Sequence, residues 1–129
     1  MPSNCLRCIL LAAALILPGA ALAAADDYAF EPVAAELKKG DDVTVTLRLV
    51  HRPSGKPVAD AVIIRTRIDM APDGMAEMQS PVAPLPGGGG LYAFKTDLPM
   101  AGRYLFSIAA KVQGEPETVV GKVTFKAVK

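Results

Sequence analysis

Alternation with a period of two dominates the chain from about residue 28 onward. In "DVTVTLRLVH", Val43, Val45, Leu47 and Leu49 alternate with threonines and an arginine, the pattern of a strand with one buried and one wet face. "RPSGKPVAD" reads as a turn, and "AVIIRTRIDM" resumes as a strand. Its phase predicts Val62, Ile64, Thr66, Ile68 and Met70 on the core side and Arg65, Arg67 and Asp69 outside. "QSPVAPLP" fits a short edge strand, because proline is tolerated at sheet edges, and "GGGG" follows as a flexible turn. "LYAFKTDL" places Tyr92, Phe94, Thr96 and Leu98 on one face, and "RYLFSIAAKV" does the same for Tyr104, Phe106, Ile108, Ala110 and Val112. The last strand, "TVVGKVTFKAV", aligns Val119, Gly121, Val123, Phe125 and Ala127, while "YAFEPVAAEL" is a first strand interrupted by Pro32.

Six to seven short strands, frequent turns and no long helical period predict an all-β fold, an immunoglobulin-like antiparallel β-sandwich. The N-terminus carries a different signal. "MPSNCLR", the apolar run "CILLAAALILPGA" and the small-residue stretch "ALAAA" form a secretory signal peptide, expected to span 1–25 and to leave 26–129 as the mature domain. Cleavage after Ala23 is the alternative to cleavage after Ala25. Retention as an anchor is disfavoured by Pro18-Gly19 and by the lack of a basic flank on the far side. The expected location is periplasmic or secreted. Both cysteines, Cys5 and Cys8, lie within the leader, so the mature chain has no thiol chemistry.

The formal net charge of the whole chain is +1, and losing Arg7 balances it. Balance removes the electrostatic case for nucleic acid or an anionic membrane, either of which needs a concentrated positive face. Catalysis is not expected: His51 stands beside Arg52 and Pro53 without partners, and no serine occupies a strand-to-helix elbow. His51 reads as an ordinary surface residue. The glycine run lacks the lysine and helix of a phosphate loop. Asp69, Asp73 and Glu77 do not match calcium-loop spacing and read as solvated carboxylates.

Methionine is the unusual feature. Met70, Met75 and Met78 crowd one segment, and Met100 is the other methionine after the leader. If each strand reverses the one before and "QSPVAPL" makes a full traverse, Met100 returns to the same end as the other three. His51 and the glycines then lie at the opposite end. Met75 and Met78 are three apart, so one helical turn would aim both the same way. Two readings stay open. The thioethers plug the end of the core, as flexible gap-fillers do, or they are presented to a soft ion such as Cu(I) or Ag(I), or to a partner.

"GKPVADAVI", "DMAPDGMAEM" and "GGLYAFKTDLPMAGRYLFSIAAKV" resemble the YtkA-like domain, related to the FixH family, over roughly Val45 to Phe125. The resemblance implies an exported, non-enzymatic β-sandwich associated with heavy-metal efflux, with a periplasmic adaptor of a copper or silver pump as the expected partner. It carries the metal role to Met70, Met75, Met78 and Met100, with Gly102 and Tyr104 as structural parts of the second turn. No histidine accompanies the methionines, which argues against tight Cu(II) binding. The absence of a retained anchor departs from FixH and from its role in oxidase assembly. The alternative expectation is a structural or protein-interaction module without a metal site.

Overall fold

The computed structural model describes residues 27–129; the expected signal peptide with its cleavage site, and both cysteines, lie outside the described residues. Ten strands follow in order: β1 (Tyr28–Pro32), β2 (Glu36–Lys38), β3 (Gly40–His51), β4 (Lys56–Pro57), β5 (Val62–Met70), β6 (Met75–Ser80), β7 (Val82–Leu85), β8 (Leu91–Leu98), β9 (Gly102–Lys111) and β10 (Val119–Val128). One sheet runs β1-β3-β8-β7, with β4 appended to β3, and the other runs β2-β10-β9-β5-β6. This is the strand arrangement of an immunoglobulin-like sandwich, in which two sheets close over a shared core.

Strict alternation supplies that core. Val45, Leu47 and Leu49 from β3, Phe94 and Leu98 from β8, Tyr104, Phe106 and Ile108 from β9, and Val123 and Phe125 from β10 are all buried. Phe94 and Phe106 meet edge-on across the two sheets at a centroid distance of 5.0 Å, while Tyr104 and Phe125 stack at 5.6 Å. Phe30 closes the core from β1 and lies against Gly121, where a Cβ would come within 2.5 Å of its ring. Position 121 therefore keeps the inward phase of β10 without a side chain.

Two proline-marked breaks divide single passages of chain between the sheets. The first strand splits after Pro32: β1 pairs antiparallel with β3, whereas β2 pairs parallel with β10, so the sandwich is mixed and not wholly antiparallel as expected. The second split falls at Pro81, between β6 in one sheet and β7 on the edge of the other. Together β6 and β7 make the full traverse on which the topology depended. His51 sits at the glycine end, its ring 5.2 Å from that of Tyr28 and its Nδ1 2.7 Å from Ser54 Oγ. Gly90 is joined to the same region by the Leu49 amide, which donates to its carbonyl.

The phase of β5 differs from the expectation. Val62 and Ile64 are exposed and Ile63 packs on the core, while Ile68 and Met70 are buried as expected. A β-bulge is the reason: Ile63 pairs with Ala110 and Arg65 with Ala109, leaving Ile64 as the extra residue. One inserted residue exchanges the two faces of the strand on either side of it.

Candidate functional site

The methionine end is built from two turns. At the end of β5 the chain makes one 3-10 turn over Ala71–Asp73, with Pro72 in its first positions, and Gly74 closes it by donating its N–H to the Ala71 carbonyl at 2.9 Å. Asp69 starts the turn: its Oδ1 accepts from the Ala71 N–H at 2.9 Å, and its Oδ2 accepts from Arg67 Nε at 2.7 Å. Arg67 also donates from Nη2 to the Ala76 carbonyl at 2.9 Å, bracing the start of β6.

The second turn, Pro99 to Ala101, joins β8 to β9. Tyr104, buried near the start of β9, donates its hydroxyl to the Met100 carbonyl at 2.8 Å. This resembles the tyrosine corner of immunoglobulin-like sandwiches, where a phenol fixes the backbone a few residues upstream. Burial, the largest influence, raises the Tyr104 pKa, so the phenol remains a donor at neutral pH.

Arg103 locks the two turns together. Asp73 Oδ2 accepts from the Arg103 backbone N–H at 2.8 Å, and its Oδ1 accepts from Arg103 Nε at 2.8 Å. Arg103 Nη2 donates to the Pro72 carbonyl at 2.6 Å. Asp69 and Asp73, expected to be solvated, are therefore fixed by Arg67 and Arg103, and Asp69 is only 4% exposed. Glu77 alone of the three remains an exposed carboxylate.

The Arg103 N–H, then its guanidinium, hold the Asp73 carboxyl below its usual value of 3.8. A folded-state pKa below the unfolded one contributes stability above the unfolded value and loses it as pH falls through the folded value. Urea unfolding across the acid range is expected to show wild type more stable than Asp73→Asn near pH 6, with the gap closing below about pH 4, near the carboxylate reference value. A gap that stays constant with pH would remove Asp73 from the acid response.

The four methionines share this end but not one environment. Met70 is 1% exposed, and its Cε lies where a Cβ on Gly102 would approach to 2.7 Å; it plugs the core beneath the clamp. Met75 pairs with Met70 across the β5–β6 turn and lines the core edge. Met78 and Met100 are 42% and 39% exposed. No helical turn joins Met75 and Met78, which both lie in β6. The next pair after Met70–Met75 is Asp69–Gln79, so Ala76, Glu77 and Met78 form a wide bulge in β6. Pairing with β5 and the stop at Gly74 leave that segment extended.

Among the described residues, no three histidine, cysteine or carboxylate side chains gather to hold a metal ion. The soft donors at this end are thioethers, and the sealed Met70 leaves Met75, Met78 and Met100 nearer solvent. The arginine clamp is the part that sequence reasoning missed. Arg103 directly follows the Gly102 of the second turn, but its partner lies thirty positions away in the chain.

Fold and end together define an immunoglobulin-like β-sandwich carrying a two-turn, methionine-bearing tip. The chain matches the YtkA-like family over residues 22–109 and belongs to that family. The match runs from upstream of β1 into β9 and leaves β10 outside it. No curated protein matches the chain.

Proposed function

We propose that this YtkA-like protein is an exported, non-enzymatic accessory of a copper or silver handling system, acting in the periplasm or outside the cell. In this reading its methionine tip touches Cu(I), Ag(I) or the adaptor of an efflux pump that carries them. The observation that supports it is the clamp: Arg103 on Asp73 holds the turn bearing Met100 against the turn between Met70 and Met75. Soft thioether sulfur suits a monovalent soft ion, and methionine resists the thiol oxidation that an oxidising compartment imposes on cysteine. Met75, Met78 and Met100 would be the contacts and Met70 their support.

Titration of the mature protein with Cu(I) against a competing chelator tests this reading. Removing two soft donors, as in the double variant Met78→Leu with Met100→Leu, is expected to weaken binding at least about tenfold, whereas Met70→Leu leaves it within about twofold. Equal and negligible affinity in all three proteins would eliminate the metal. Burial of Met70 favours a second reading, a structural or interaction module in which the thioethers serve packing alone. That module predicts no Cu(I) retention by any variant.

A further inference from the structure

We propose that the open flank of the sandwich between β5 and β7 is a strand-addition site for an extended segment of a partner protein in which aliphatic and acidic residues alternate. β6 pairs with β5 only at Ile68, Asp69 and Met70 before the chain leaves for the other sheet at Pro81. Among the described residues, 62–67 of β5 consequently have a strand neighbour on the β9 side alone. A free edge of this kind offers backbone donors and acceptors that only another polypeptide strand satisfies in register.

Side chains define what such a strand would carry. Facing into the flank is a largely apolar cleft lined by Ile63, Ile64, Thr66, Pro84 and Phe94 together with Arg65, and Val62 and Ile64 on this strand are 62% and 49% exposed. On the outer face of the sheet, cross-strand register places Arg65 beside Ala109 and Val120, Arg67 beside Ser107 and Lys122, and Lys111 beside Val62. Arg67 is engaged by Asp69, but Arg65, Lys111 and Lys122 form no ion pair among the described residues. An added strand alternates its side chains between these two environments, so aliphatic residues enter the cleft while acidic ones meet Arg65 on the adjacent strand and Lys111 one strand further in.

Other occupants fit less well. A second copy pairing edge to edge would bring two Arg65-bearing strands together, so like charges would face each other across the seam. A membrane surface would leave the backbone edge unsatisfied, and the cationic face lacks the aromatic anchors of interfacial proteins, since Tyr104, Phe106 and Phe125 all point into the core.

The test uses the mature chain, isotope-labelled, with a blocked octapeptide of alternating valine and glutamate as probe. Controls are the same composition in block order and an alternating valine–lysine peptide. Saturable binding with slowed amide exchange confined to residues 62–67 is expected from the first probe only. Reversing the charge at Arg65→Glu, or charging the edge with Ile64→Lys, should each weaken binding about tenfold while leaving the circular dichroism unchanged. Equal binding of the block-ordered peptide, protection elsewhere, or no effect of either variant overturns the proposal. So does amide protection that grows with protein concentration and ignores the peptide, which identifies a second copy. Binding to phosphatidylglycerol vesicles without binding to the peptide overturns it in favour of lipid.

Discussion

Replacing Met70 with alanine is expected to lower the unfolding free energy by about 2–4 kcal/mol, the cost of a cavity where a buried methionine was removed. The same change at Met78 or Met100 is expected to stay within about 0.5 kcal/mol, as surface substitutions do. The contrast follows from position: Met70 is enclosed by the core and by Gly102, whereas the other two are more than a third exposed. Urea unfolding with an unchanged slope measures it, because a shift in midpoint then reports stability alone. Peroxide supplies an independent check, since oxidation follows access to the sulfur. Met78 and Met100 should oxidise first and Met70 last. Were Met70 to oxidise alongside them in the folded protein, its role as the core plug would be lost, and with it the division of labour among the thioethers.

The other large effect is expected at Gly102. Its φ of 153° lies outside the range that side chains ordinarily adopt, and a Cβ there would come within 2.7 Å of both Asp73 Oδ2 and Met70 Cε. Gly102→Val must displace the carboxylate, the core methionine, or both. Backbone strain and overpacking together predict a loss of about 3 kcal/mol. The acid-dependent part of stability assigned to Asp73 should shrink in the same variant, because the carboxylate loses its seat on Arg103. Gly88→Val is the control. A Cβ at that position meets open space, so a change of no more than about 0.5 kcal/mol is expected. If both variants were equally mild, the close packing of the two turns would be wrong.

Much of this fold was legible because burial enforces alternation. In β3, β8, β9 and β10 alternate residues face the core, and the sequence pattern agrees with the buried set apart from Ala109, which is buried off phase, and Val43, Tyr92 and Gly121, which are only partly buried. β5 was misread over its first half. Val62, Ile63 and Ile64 are all apolar, so composition alone cannot say which one the bulge leaves unpaired; pairing with Ala109 and Ala110 decides it. Only Gln79 and Ser80 of β6 fell within the expected edge strand; the rest was missed because "MAEMQS" carries no alternation and becomes a strand by pairing with β5. Pro32 and Pro81 were visible as interruptions, but an interruption does not announce that the chain changes sheets there. At the site, chain reversal correctly brought Met100 to the end occupied by Met70. The clamp was not legible, because Asp73 and Arg103 are ordinary surface residue types whose pairing exists only after the two turns have met.

The hydroxyl of Tyr104 has one more consequence. It grips residue 100 by the carbonyl and asks nothing of the side chain, which projects outward. That position behaves as an interchangeable head on a rigid mount. Histidine, a fluorophore-bearing cysteine or an unnatural ligand can be installed there while the scaffold stays as it was, and a difference in what the protein then captures can be credited to the new group itself.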